Sequence, residues 1–307
     1  MALKVFRPLI LLSIICLTAA CVAAQETVRQ SKIAVLDFGA GAIAVQASEK
    51  LARALSAAEG LRLMDRDESR SAARGIGYEG SLNMTLVEAR DLGSAIGCDF
   101  YVTGDAQTLR RSSSARPVYY EAYASVFIVS ARTGRLIKWD HIIAEAPSPE
   151  GAEKALLSEL PECAGVYALA IRAGAEAERN ERELSITNSV PVIEEAPDES
   201  SPQAKGLRLP APYRRLRPIY PESAARAEVE ATVDALVDLD AAGEVTRVEV
   251  VRWAGFGLDN ETVKTIRSMH FRPAMRDGAP LPMRVLLRYN FQKPKKEKPE
   301  EAGKGER

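Results

Sequence analysis

The sequence predicts an exported two-domain protein of mixed α/β and α+β architecture: an α/β sandwich, then an antiparallel sheet with one helix. Three observations carry this. Apolar strand-like runs alternate with helical patterns from Ser31 to Gly104 and then give way to a hairpin. Residues 186–212, rich in proline, serine and acid, interrupt every periodic pattern. Beyond them, two strands of period two, Val229 to Val237 and Met283 to Phe291, bracket a short helical segment. A length of 307 residues with 46% hydrophobic and 27% charged suits a chain that buries two cores. A formal net charge of -1 excludes the basic footprint of a nucleic-acid binder.

The chain opens on "MALKVFRPLILLSIICLTAACVAAQ". Lys4 and Arg7 form a basic region, Leu9 to Leu17 an apolar one, and Val22-Ala23-Ala24 a small-residue cleavage site, so residues 1–24 read as a secretory signal. An uncleaved anchor is the alternative, although the apolar run is at the short end of the roughly 17 to 25 residues a spanning helix needs. Cys21, in "LTAAC", resembles a bacterial lipoprotein box, with Thr18 where that pattern usually has leucine. The expected location is the periplasm, with membrane contact only through a lipid on Cys21 or an uncleaved signal. Cys16 leaves with the signal. Cys98 and Cys163 remain, and both a disulfide in an oxidising compartment and two small buried hydrophobes fit them.

In the first domain the pattern gives a strand (Lys32 to Phe38), a helix (Ala44 to Ala58), a short strand (Leu61 to Met64), a polar helical stretch, a helix near Leu86 to Ile96 and a strand from Phe100. "VYYEAYASVFIVSA" and "RLIKWDHIIAEA" follow as a hairpin joined at Arg132-Thr133-Gly134-Arg135. The first turn, Gly39 to Ala44, has the form G-x-G-x-x-A, and Asp65 follows at the spacing of a ribose-binding acid. Asp37-Phe38 argues against a dinucleotide site, because it sets a carboxylate where pyrophosphate needs backbone N–H groups. Gly39 and Gly41 are therefore read as turn residues that tolerate positive φ, with the dinucleotide site as the alternative. "IAVLDF", "LRLMDRDESR" and "LGSAIGCDFYVTGDA", in that order, resemble the envelope domains of the curli-secretion channel (CsgG) and TolB N-terminal type. The resemblance covers about residues 31–146 and implies an α/β sandwich over 31–147, with oligomeric envelope assembly as one role. Residues 148–185 read as a helical extension broken at Pro161, and 186–212 as a flexible linker.

The second domain, residues 213–292, carries Tyr220-Pro221, Asp240 to Gly243, Leu258-Asp259, Phe271-Arg272-Pro273-Ala274 and Asp277-Gly278-Ala279-Pro280. In that order they resemble the TonB C-terminal domain, with Ala231 where the family often has glycine. Val229, Ala231, Val233, Ala235 and Val237 alternate with Glu230, Thr232 and Asp234, so one sheet face packs and the other meets water. In the last strand Met283, Val285, Leu287, Tyr289 and Phe291 share the packed side. Arg284, Leu286, Arg288 and Asn290 share the other, where the arginines read as an exposed face that also blunts an edge. The resemblance implies that Met283 to Phe291 is a sheet edge receiving an extended segment of an outer-membrane transporter or other envelope protein. Two features differ from energy transducers. The N-terminal apolar segment has no histidine, and a linker of roughly 27 residues at about 3.3 Å each reaches under about 90 Å.

No catalytic constellation stands out. His141 and His270 are the only histidines and read as structural, and no carboxylate pair has acid/base spacing. The reading is a binding protein with no cofactor and no metal, its two domains folding independently, ending in a disordered charged tail over 293–307.

Overall fold

A computed structural model describes residues 30–293 apart from 114, 116, 188–192 and 199. The signal with Cys21, and the tail from 294 onward, lie outside the described residues. The first unit comprises β1 (Ser31–Val35), α1 (Ala42–Ser56), β2 (Leu61–Leu63), α2 (Arg66–Gly75), α3 (Leu86–Ile96), β3 (Phe100–Arg111), β4 (Tyr119–Ser130), β5 (Leu136–Ala146), α4 (Pro149–Glu159) and α5 (Ala164–Thr187). Its sheet runs β2-β1-β3-β4-β5, with β1 parallel to both neighbours and the rest antiparallel. One face packs on α1, α4 and α5 through Leu51, Leu55, Leu156, Tyr167 and Ile171. Pro161 lies in the 3-10 turn Leu160–Cys163, where its missing N–H separates α4 from α5.

The second unit adds β6 (Glu194–Glu195), β7 (Leu207–Arg208), β8 (Ala211–Pro212), α6 (Glu222–Arg226), β9 (Ala231–Leu239), β10 (Val245–Arg252), α7 (Leu258–Arg267), β11 (Phe271–Arg272), β12 (Ala274–Arg276), β13 (Ala279–Leu281) and β14 (Met283–Phe291). Its main sheet runs β10-β9-β14-β6. The motifs read from the sequence do local work here. Asp240 Oδ1 accepts from the N–H groups of Ala242 and Glu244, each at 2.9 Å, which closes the β9–β10 turn. Asp277 and Gly278 take the left-handed conformation that a tight β12–β13 hairpin requires. The segment read as a linker carries three short strands laid on this unit: β6 on β14, β7 on β12 and β8 on β11.

The two units, expected from the sequence to fold independently, pack on one another through a shared core. The sheet face opposite α1, α4 and α5 is divided: α2 and α3 cover part of it, and the second unit covers Phe127, Trp139 and His141. Trp253 stacks on Phe127 with ring centroids 5.8 Å apart, and its Nε1–H donates to the Gly134 carbonyl at 3.0 Å. Phe256 meets Phe127, Trp139 and His141 at 5.8, 5.6 and 5.5 Å. Asn83 bridges the units, donating to the carbonyls of Thr232 (2.8 Å) and Trp253 (2.7 Å) and accepting from the Thr232 N–H at 3.0 Å. Arg226 of α6 reaches Glu145 and the buried Glu121, at 2.8 and 3.1 Å. Gly255 has φ +72, and a Cβ there would fall 2.5 Å from the Phe127 ring, so the close approach needs glycine twice over. A bare apolar strip on a five-stranded sheet has to be covered, and here the second unit covers it.

Candidate functional site: the outer edge of the last strand

On one side β14 pairs with β9 along its whole length, from Met283↔Leu239 to Phe291↔Ala231. On the other, among the described residues, it pairs only with β6, at Met283↔Glu194 and Arg284↔Glu195. The Arg284 carbonyl accepts from the Ala196 N–H at 2.8 Å, and the Arg288 carbonyl from Arg215 Nη2 at 3.0 Å. The N–H and C=O of one strand residue point to the same side, and successive residues alternate. Arg284, Leu286, Arg288 and Asn290 therefore turn their main chain outward, while Met283, Val285, Leu287, Tyr289 and Phe291 bond to β9. Among the described residues no strand pairs with Leu286 to Phe291 on the outer side.

The side chains depart from the sequence reading in one respect. Met283, Tyr289 and Phe291 are buried, and Val285 and Leu287 pack partly against the same core. Arg288 lies exposed as expected and Arg284 is half-buried, but both are ion-paired to aspartates of β9. Arg284 Nη2 meets Asp238 Oδ2 at 2.9 Å, and Arg288 holds Asp234 with contacts of 2.7 and 2.9 Å, with Arg252 adding a second guanidinium to Asp234 at 3.4 Å. Both aspartates are buried, and the Arg288 hydrogen bond holds the Asp234 carboxyl below its usual range. A buried carboxylate must be paired, so these arginines are held by the sheet. Leu286 is 53% exposed and stands between them.

The other singled-out residues have structural employment. Asp65 caps α2, accepting from the N–H groups of Asp67 and Glu68 at 2.9 Å, so it is not set out for a ribose. Asp37 accepts from Arg66 (3.1 Å) and Arg70 (2.6 Å), so the acid two residues beyond β1 is matched by the stretch from Asp65 to Arg70 that opens α2. Gly39 has φ +113 as expected of a turn, whereas Gly41 is extended at φ -70 and serves as the N-cap of α1. His141 Nδ1 meets Ser125 Oγ at 2.9 Å across β4 and β5, but Ser125 is 2% exposed, so the pair is a cross-strand hydrogen bond under the seam. Burial pushes the His141 imidazole below its ordinary pKa. His270 is exposed beside Glu244 at 3.2 Å. Cys98 and Cys163 are both free: Cys98 packs on the core shared by the two units, Cys163 on the core beneath α1, α4 and α5. Among the described residues no cluster of three or more metal-ligating side chains occurs, and no helix is long and apolar enough to cross a membrane. Glu194, Ala196 and Arg215, which touch the β14 edge or its neighbour, lie in no motif and no periodic run, so nothing local in the sequence marks them.

Residues 217–292 match the family model of the Gram-negative bacterial TonB protein C-terminal region. Residues 217–292 are a TonB C-terminal domain. Such domains are non-enzymatic protein-interaction modules of the Gram-negative envelope. Among solved structures, the hypothetical protein CT253 from Chlamydia trachomatis is similar at 14% identity and a TM-score of 0.34, over 46% of this chain and 99% of that one. The Pseudomonas aeruginosa TonB C-terminal domain aligns at 20% identity and 0.25, over 29% of this chain and 90% of its own. The LpoB C-terminal domain from Salmonella enterica aligns at 16% and 0.29, over 39% and 86%. Scores this low establish no common function. No curated protein matches the chain.

Proposed function

We propose that the protein is a non-enzymatic component of the bacterial envelope whose TonB C-terminal domain binds an extended segment of an outer-membrane or periplasmic protein by strand addition on β14. One observation carries this reading: the main-chain groups of Leu286, Arg288 and Asn290 face outward on a strand that is unpaired there over the described residues. An incoming strand satisfies such groups through main-chain hydrogen bonds, which needs no nucleophile, metal or cofactor. The Asp234 and Asp238 ion pairs lock the sheet behind the edge, so little ordering is left to cost affinity on binding. In this reading the chain works in the periplasm, exported by residues 1–24 and tethered only by a lipid on Cys21 or an uncleaved signal. The first unit, of the CsgG/TolB type by resemblance, holds the binding domain in a fixed orientation through the Phe127–Trp253–Phe256 seam.

The full mature chain, used as bait in an envelope extract, supplies the partner, and the partner then tests the edge. Leu286→Pro removes one outward donor and breaks no ion pair or ladder bond, which makes it cleaner than Arg288→Pro, where Asp234 would lose the closer of its two guanidinium partners. Binding by Leu286→Pro is expected to fall at least tenfold, about 1.4 kcal/mol, with melting little changed, while Leu286→Ala retains most of the affinity. A folded Leu286→Pro chain that binds like the parent would place the partner on another surface.

A further inference from the structure

The outer edge of β14 is already filled at its N-terminal end by the chain itself. β6 runs parallel to it, with Glu194 opposite Met283 and Glu195 opposite Arg284, and the Ala196 N–H takes the outward Arg284 carbonyl at 2.8 Å. A side chain reinforces the main chain: the Glu194 carboxylate is gripped by both terminal nitrogens of Arg276 on β12, at 2.6 and 3.1 Å. The segment is tethered at both ends. α5 closes at Thr187, and β7 pairs with β12, the strand that carries Arg276, through Leu207↔Arg276. A ligand on so short a tether acts at an effective concentration on the order of millimolar. The contact is also shallow, because the pairing spans two residues, and Glu194 and Glu195 are both exposed. An exposed ion pair of this kind contributes little and weakens with salt. Such a contact holds in the absence of a competitor and yields to a longer strand.

We propose, building on the strand-addition reading, that Ile193–Ala196 is an internal competitor that occupies the first rung of the β14 docking edge and is displaced when a partner strand extends to Arg284. The geometry sets a length rule. A partner ending at Leu286 binds beside the segment, and only one that continues to Arg284 has to expel it.

Two measurements on the full chain test this. The first is residue-resolved hydrogen exchange at Ala196, whose amide is expected to exchange at least about tenfold more slowly in the parent than in Glu194→Lys, which sets a cation against Arg276. The second adds a synthetic peptide of residues 191–198, PVIEEAPD, and follows the Arg284 amide by NMR. The doubly substituted Glu194→Lys, Ala196→Pro chain, whose own segment cannot dock, is expected to bind the peptide at least tenfold more tightly than the parent. Unprotected Ala196 in the parent overturns the proposal, as does peptide binding that is equal in the two chains or absent from both. Leu286 lies beyond the segment, so Leu286→Pro leaves Ala196 protection in place. Loss of the competitor therefore leaves strand addition standing, and the Leu286→Pro test can fail without altering the exchange result.

Discussion

Phe256 is the sharpest probe of the seam, because every aromatic ring it meets belongs to the first unit: Phe127, Trp139 and His141. It is 7% exposed, and its backbone sits at φ +52, where a residue with a Cβ is strained by about 1 to 2 kcal/mol. Phe256→Ala removes a buried ring, worth about 3 to 5 kcal/mol, and keeps the strain. Phe256→Gly removes the same ring but relieves the strain, which offsets the roughly 0.5 to 1 kcal/mol that glycine ordinarily costs. The expected order of stability is parent, then Phe256→Gly at or above Phe256→Ala, the reverse of the usual glycine penalty. Because the core is shared, the loss should register in both units at once. Native-state hydrogen exchange reads this directly: protection at Val102 and Ile128 in the first sheet and at Val233 and Val237 in the second should fall together, by the same few kcal/mol, with one melting transition lowered on the order of 10 °C. If only Val233 and Val237 lose protection while Val102 and Ile128 keep theirs, the units are energetically separate and the seam is mere contact.

Four further outcomes follow from the geometry. Gly255→Ala should destabilise by about 2 kcal/mol or more, measured by urea denaturation, since its Cβ would meet both positive φ and the Phe127 ring. Asp259, which accepts from the Ala254 and Gly255 N–H groups at 2.9 and 2.8 Å, is pushed up by burial to a pKa of about 6. Between its ordinary 3.8 and about 6 the folded chain binds more protons than the unfolded one, so this group lowers stability as pH rises through that window, and Asp259→Asn should flatten that limb of a pH–stability curve. His141 acts with the opposite sign: its folded pKa is depressed, so its contribution is present above 6.5 and lost as pH falls below it, and His141→Phe should remove that loss. Alkylation followed by mass spectrometry should label Cys163 before Cys98, whose thiol burial pushes up to about 12.

Much of the fold was legible because short-range patterning encodes it. Period-two runs placed β9 and β14, Asp240 and Asp277-Gly278 announced their turns by turn chemistry, and the break at Pro161 follows from a missing donor. The ordered motifs of residues 213–292 sufficed for the TonB C-terminal domain. Three things were decided only by the tertiary structure. Phe127, Trp139 and His141 sit in strands whose pattern reads the same whether that face meets helices, water or another domain, so no local signal announces the seam. Arg284 and Arg288 look like solvated residues in sequence, and their aspartates lie 46 and 54 positions away, a pairing that register alone creates. The segment Ile193–Ala196 lies in a stretch whose proline and acid read as a spacer, and its two-residue strand, Glu194–Glu195, lies against the β14 edge. Local chemistry specifies elements, but contacts between distant parts of the chain depend on which surfaces the completed sheets leave uncovered, and that is a property of the folded whole.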